Sequence, residues 1–211
     1  MTDSIKMQIK NDWADAPYYE IVESDSAMKY FWGNAIFDDL FARLDLSNVA
    51  ELACGHGRHM QHVLNNFNVG SAILVDINES NIDFCRGRFN NYGGLTFIVN
   101  GGADLNGISD GALSSLFCYD AMVHFEFDDV FLYLKEIGRC LIPGGMALLH
   151  HSNNDKQPGN LYSQNTHWRN FMTAGLFKHM SMRAGLEVIE QRVFDWGDAK
   201  DLDCVSLVIK K

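Results

Sequence analysis

Proline is scarce in this chain of 211 residues: there are three, and no low-complexity run accompanies them. That shortage argues against a flexible linker or a disordered tail and favours one packed domain with short additions. No apolar run approaches the roughly 18 residues of a membrane span. The opening MTDSIKMQIKNDWADAPYY also lacks the apolar centre of a signal peptide. Basic residues are outnumbered, 17 Lys and Arg against 27 Asp and Glu, for a net charge of −10. Such a surface repels phosphate backbones, and the scattered cations form no patch, so neither nucleic acid nor membrane is expected as a partner. A C-x-x-C pair is absent as well. Cys54, Cys85, Cys118, Cys140 and Cys204 are dispersed among apolar residues, which reads as reduced core thiols in a cytoplasmic protein.

What is present is an alternation of short apolar runs with amphipathic segments from residue 48 onward. The pattern predicts strands over 49–53, 71–76, 95–99, 112–119, 145–151, 186–196 and 202–210. Helices are expected over 58–67, 79–90 and 128–140, with a shorter connection over 101–111. Strands alternating with helices give an α/β fold, a mostly parallel sheet covered on both faces. The last two strands are joined by GDAKD, too short for a crossover helix. They must therefore pair antiparallel, closing a seven-stranded Rossmann-like sheet with a hairpin. Residues 1–47 read as a helical N-terminal extension or lid, with one helix over 28–44, and 48–211 as the main domain. The extension is rich in aromatics, among them Trp13, Tyr18, Tyr19, Tyr30, Phe31 and Trp32; such rings can exclude water from a cleft while still packing.

The first strand-to-helix junction reads ELACGHGRH, residues 51–59. Glycines at that point let the backbone turn sharply and approach a ligand beyond the strand ends. Taken alone, Gly55 and Gly57 suit a nucleotide loop, a site for another nucleoside, or a tight turn. The third glycine of the dinucleotide fingerprint is replaced by Met60, and the Lys of a phosphate loop is missing. Strand two ends in LVDIN, placing Asp76 where a carboxylate can accept from ribose hydroxyls or cap the following helix. After strand three, GGADL offers the Ala103 N–H and the Asp104 carboxylate to the edge of a base, although aspartates are common in turns.

These segments together resemble the class I S-adenosylmethionine-dependent methyltransferases over roughly residues 45–211. ELACGHGRH is similar to that family's first motif, with Cys54 at the usual first-glycine place. LVDIN, GGADL, SSLFCYDAMVHF and LIPGG are similar to the motifs that follow it in order. The resemblance implies S-adenosylmethionine as cofactor. It implies Glu51, Cys54, Gly55 and Gly57 around the methionine portion and Asp76 on the ribose. Ile77 would lie on the adenine face, Ala103 and Asp104 at its edge, and Tyr119 near the sulfonium. One departure is that Ser114 and Ser115 stand where the fourth strand commonly starts with an acid.

Methyl transfer is an in-line displacement, so chemistry belongs at the ends of strands four and five. His124 is a candidate general base, Asp120 a candidate to orient it, contact the substrate or touch the cofactor's amino group, and His150 and His151 end strand five. Neighbours in a strand point to opposite faces, so at most one of that pair can reach the cleft. His151 is expected with the catalytic group, and His150, Trp168 and Arg169 with the substrate. Arg169 suits a phosphate or carboxylate. No compact ligand motif exists, so no metal is expected.

The run after strand five, rich in Asn with Tyr162, His167 and Trp168, is similar to that of bacterial methyltransferases found with surface-glycan biosynthesis. A sugar or phosphoglycan precursor is therefore the expected methyl acceptor, with a small aromatic or amine metabolite left open. An inactive cofactor-binding module and, less favoured, a nicotinamide-dependent oxidoreductase stay open as alternatives. Oligomeric state leaves no trace in the sequence.

Overall fold

The computed structural model describes residues 3–14, 17–33 and 35–211. Its centre is one sheet of seven strands, β1 Val49–Leu52, β2 Ala72–Asp76, β3 Leu95–Val99, β4 Leu113–Cys118, β5 Leu141–Ser152, β6 Leu186–Trp196 and β7 Ala199–Lys210. Their spatial order is β3-β2-β1-β4-β5-β7-β6, with β7 alone antiparallel to its neighbours. The hairpin expected from GDAKD forms, and it is tighter than the sequence implied, since Trp196 already pairs with Ala199.

Why the sheet needs cover on both sides is visible in single strands. Leu116 and Cys118 of β4 join one apolar cluster, while Phe117 and Tyr119 join another across the sheet. The pleat's period of two makes both faces hydrophobic, so helices must shield each. On the first face lie α7, Phe127–Cys140, and α8, Ala174–Arg183. Helix α7 buries Val130, Tyr133, Leu134 and Ile137, a stripe at helical spacing, with Asp128 and Asp129 in its first turn and Arg139 in its last. That charge order complements the helix dipole. Helix α8 starts where the Thr173 side chain accepts from the Leu176 N–H.

The second face is covered by α5, Arg58–Asn66, and α6, Glu79–Arg88, together with the chain before β1. That chain does not form one helix over 28–44. It makes α1 Asp3–Asp12, α2 Tyr18–Val22, α3 Asp25–Trp32 and α4 Asp38–Phe41. The long helix fails at Gly33, where a Cβ would meet the Lys29 carbonyl oxygen at 2.4 Å. The break lets Phe31 and Trp32 on one side, and Phe37, Leu40 and Phe41 on the other, all enter the same cluster. Residues near α3 and α4 are thus core: Phe37 stacks on Tyr119 with ring centroids 3.8 Å apart. Among the described residues before β1, it is Lys6, Ile9, Trp13, Tyr18, Tyr19 and Glu23 that line the cleft.

Strand β5 starts earlier than residue 145. Leu141 pairs with Leu113, the ladder slips, and Met146 then pairs with Ser115. The slip absorbs Pro143, Gly144 and Gly145, with Gly144 at φ +79°. Among the described residues no helix is long and apolar enough to cross a membrane.

Candidate active site

The glycine loop follows β1, and its conformation explains its composition. Gly55 has φ +52°, and a Cβ there would meet the ring of Tyr19 at 2.5 Å. Gly57, at φ +76°, precedes α5, and its Cβ would run into the ring of Phe89 at 2.6 Å. Larger residues at either position would push an aromatic ring out of place. Below the loop, Glu51 is 1% exposed and its carboxylate accepts from the Met60 N–H at 3.1 Å. Burial pushes its carboxyl up to about 8. Glu51 braces the start of α5 rather than lining the cleft, so any influence on a ligand passes through the loop.

Asp76 ends β2 beside this loop. Its Oδ2 accepts from the Gly55 N–H at 2.8 Å, and Oδ1 accepts from the Asn78 N–H at 2.8 Å and the Asn81 amide at 3.1 Å. Burial raises its carboxyl while these donors pull it back. The cleft next to it has about 930 Å³ of empty space, its open mouth included, and is lined by Gly55, Asp76, Ile77, Gly102 and Tyr119 among others. Gly102, at φ +89°, leaves room for Ile77, whose Cδ1 lies 2.6 Å from where a Cβ would stand. Cys54 lines the same wall as a buried thiol, its ionisation strongly disfavoured by burial and by Cys85.

Ala103 and Asp104 are not in the wall. The Asp104 carboxylate accepts from the N–H groups of Gly101 at 2.9 Å and Asn106 at 3.0 Å, closing its own turn. Asn100 and Gly102 line the cleft instead. Asn100 is fixed there by donating to the Asp104 carbonyl and to the Tyr133 hydroxyl.

Beyond Tyr119 the chain turns through Asp120, a non-glycine residue at φ +58°. Such a backbone costs about 1–3 kcal/mol and persists only where its surroundings hold it. Here the Asp120 N–H donates to His150 Nδ1 at 3.1 Å, and Oδ2 accepts from Arg58 Nη2 at 2.8 Å and from the Tyr18 hydroxyl. Burial and Asp120 raise the Tyr18 hydroxyl far above its ordinary range, so it stays a donor. Because His150 Nδ1 accepts, its Nε2 carries the proton and donates to Asp203 at 2.9 Å. His150 therefore acts through Asp120, and it does not line the cleft.

His151 is a correction. It points to the opposite face, is 0% exposed, and stacks on Phe177 at 3.7 Å. Its Nδ1–H donates to the Ser152 carbonyl and its Nε2 accepts from the Ser206 hydroxyl. Burial holds its basicity down at about 3. It is a neutral core residue with no route to a ligand.

His124 lines the cleft as well as a second, outer chamber of about 580 Å³ that also takes Trp13, Tyr18, Trp168, Arg169 and Trp196. Its Nδ1–H donates to the Trp168 carbonyl at 2.7 Å, which fixes the tautomer and leaves Nε2 as the basic atom. Burial first, and Arg169 second, lower it to about 4. The carbonyl is aimed by two successive left-handed residues, His167 at φ +49° and Trp168 at φ +57°. Arg169 is not open to an anion. Its Nε and Nη2 donate to the two Asp203 oxygens at 2.8 and 2.6 Å, and Nη1 donates to the His167 carbonyl.

The sequence reading missed Arg58 and Asp203 as parts of this site, while Trp13 and Tyr18 were expected only as lid aromatics. Arg58 follows the second glycine directly, and the aromatics belong to the run already marked as a lid. Asp203 sits in a plain strand pattern and carries no local signal.

This strand order, with β7 reversed beside β5, is the fold of the class I S-adenosylmethionine-dependent methyltransferases. Residues 49–145 match a family model described as a methyltransferase domain. A curated relative, a fatty-acid O-methyltransferase of Mycolicibacterium smegmatis, is 26% identical over 196 residues, covering 90% of this chain. The chain spans 63% of that relative's length. Geranyl diphosphate C-methyltransferase from Streptomyces coelicolor, solved with Mg2+, geranyl diphosphate and S-adenosyl-L-homocysteine, superposes with a TM-score of 0.72. It is 13% identical, with 98% of each chain covered. The [4+2]-cyclase SpnF superposes with a TM-score of 0.67 at 11% identity, covering 85% of each chain. At those identities the structural likeness concerns the fold alone, and fold by itself does not fix chemistry.

Proposed function

We propose that this chain transfers a methyl group from S-adenosylmethionine to a hydroxyl of a small polar acceptor, of the sugar type. The observation that carries the reading is the sharing of Asp120 and His124 by the inner cleft and the outer chamber. A cofactor in one and an acceptor in the other would meet at those two side chains. In this reading Asp76 takes the ribose hydroxyls, exchanging its present amide donors for them in part. Gly55 and Gly57 bring backbone close to the methionine portion, Ile77 covers the adenine, and Tyr119 lies near the sulfur. The cofactor supplies, when bound, an electrophilic methyl on a positively charged sulfur.

His124 does the proton work. Its Nδ1–H is held by the Trp168 carbonyl, so Nε2 receives the hydroxyl proton as the acceptor oxygen bonds to the methyl carbon. The carbon–sulfur bond breaks in the same step, and its electron pair stays on a neutral thioether. Because burial lowers His124 to about 4, the imidazole is neutral and ready to accept at pH 7. Trp13, Tyr18 and Tyr19 line the cleft from the N-terminal segment. We assign that segment a lid role, keeping water from the reacting groups.

Flat rings of Trp13, Trp168 and Trp196 around Asp120 and His124 suit the apolar face and hydroxyl edge of a sugar. The relative named for fatty acids favours a second reading, a carboxylate acceptor. A carboxylate is already ionised and needs no base, so the two readings differ in what His124 contributes. The five free, buried cysteines support a cytoplasmic setting.

The test is calorimetric titration with S-adenosylmethionine, S-adenosylhomocysteine and NAD, followed by transfer of labelled methyl to sugars and to fatty acids. Binding of both adenosyl ligands with label in a sugar is the expected result. Label only in fatty acids would move the acceptor to the second reading. Adenosyl binding with no transfer to any acceptor would make the chain a binding module, and NAD binding alone would overturn the cofactor.

A further inference from the structure

The cations of the two chambers share one property. Each Lys or Arg lining either of them is matched with a carboxylate: Lys6 with Asp129 at 3.0 Å, Arg58 with Asp120 at 2.8 Å, and Arg169 with Asp203 at 2.6 Å. The last pair differs in being closed off from solvent, with side chains 3% and 0% exposed. It also differs in geometry. Both carboxylate oxygens of Asp203 face the guanidinium edge, His150 Nε2–H adds a third donor, and the guanidinium lies 4.6 Å from the centre of the Trp196 ring. Arg169 thus presents the acceptor chamber with a planar group whose charge is cancelled from behind. An Arg with a free edge would be a carboxylate or phosphate receptor; this one forms, with Asp203, a wall of no net charge.

We propose that Asp203 is a specificity-determining residue that makes the outer chamber select neutral acceptors by neutralising Arg169. The proposal rests on the reading of that chamber as the acceptor site, but it does not require methyl transfer to occur. It gives the chamber's occupant a charge class that the folded core decides, two strands away from the chemistry. Without the Asp203 charge the chamber becomes an anion site. Without Arg169 the orphaned carboxylate makes it a cation site. The two substitutions therefore push selectivity in opposite directions, which loss of packing alone would not do.

Three probes of one shape separate the cases: benzyl alcohol, benzoate and benzylamine, titrated against the intrinsic fluorescence of the full chain. In the wild type, benzyl alcohol should bind at least as tightly as either charged probe. Asp203→Asn should shift preference toward benzoate by about tenfold or more, the scale of one hydrogen bond to a charged group. Arg169→Gln should shift it toward benzylamine by a similar factor. Thermal melting and S-adenosylhomocysteine affinity, measured on each variant, report whether the fold is intact. If Asp203→Asn does not fold, the Arg169→Gln arm still decides.

A wild-type preference for benzoate, no binding of any probe, or shifts in the same direction for both variants would overturn the proposal. Absence of S-adenosylhomocysteine binding with the opposed shifts present would instead overturn the cofactor reading and leave the charge selection standing.

Discussion

The inner cleft and the outer chamber meet at Asp120 and His124 but are held by different means. The strand-end wall of the inner cleft is made of backbone turns and the Asp76 carboxylate, set by neighbouring parallel strands, while Trp13, Tyr18 and Tyr19 close it from the N-terminal segment. Glu51 pairs with Leu74 and Phe117, and Asp76 with Val99, so a few residues on β1, β2, β3 and β4 fix it. The outer wall is made of rings and an ion pair from three segments far apart in the chain: Trp13 with Tyr18, Trp168 with Arg169, and Trp196. A wall of the first kind is rigid and tolerates little variation. A wall of the second kind can be re-cut, one side chain at a time, without disturbing the first. On the proposed function, acceptor choice would reside in packing between loops, hairpin and N-terminal segment, and cofactor choice in the sheet.

Substitutions at the shared boundary and in each wall test that separation. The largest effect should come from His124→Ala, which removes the one histidine that, among the described residues, lines both spaces. Turnover should fall by roughly a hundredfold or more, with affinity for S-adenosylhomocysteine unchanged in calorimetry. A wild-type rate would return His124 to a packing role beside Trp13 and favour a carboxylate acceptor. Asp76→Ala comes next and belongs to the inner wall. Losing one charged partner should weaken cofactor binding by roughly 1–3 kcal/mol, while KM for the acceptor stays put. An equal loss in both constants would show that the two walls are not independent.

The acid side of the pH profile sharpens the same boundary. A base works in its unprotonated form, and burial lowers His124 from its ordinary value to about 4. The active form is thus present above that value and is lost as pH falls through it. Turnover at saturating substrates should stay level from neutral pH to roughly 5 and decline only toward 4, the response expected of a buried imidazole. A half-maximal point near the ordinary histidine value of roughly 6.5 would mean that His124 is exposed to water during turnover.

How far the sequence exposed this arrangement follows from the same difference. The alternation of strands with helices, the closing hairpin and the positions of Gly55, Asp76 and Tyr119 at strand ends could be read because each depends on local spacing. Parity in β5 already limited His150 and His151 to opposite faces, but it could not say which one turned toward Asp120. That choice is made by Asp203 and Phe177, partners distant in sequence and packed on opposite faces of the sheet. Asp104 misled because a turn aspartate and a base-reading aspartate look alike until its oxygens are seen to be used by Gly101 and Asn106. The helix over 28–44 misled for another reason. Its apolar residues do all reach one cluster, but by way of a break at Gly33 that periodicity smooths over.

The smallest expected effect isolates a side chain from its own backbone. Trp168 contributes two things to the site: a ring 43% exposed at the chamber wall, and a carbonyl that accepts from His124 Nδ1–H. Trp168→Ala removes the ring and keeps the carbonyl, while leaving the unusual φ of +57° for alanine to bear. Losing one aromatic surface should raise KM for the acceptor by a few-fold, on the scale of about 0.5–1.5 kcal/mol for a ring contact. The maximal rate should hold, since the His124 tautomer is still fixed. Trp168→Gly, which meets the left-handed backbone without strain, should give the same KM and the same maximal rate. If the alanine variant instead loses rate and the glycine variant regains it, the ring's role is to hold the turn that aims the carbonyl. Wall and base anchor would then be one device, and the boundary between acceptor binding and chemistry would run through a single peptide unit.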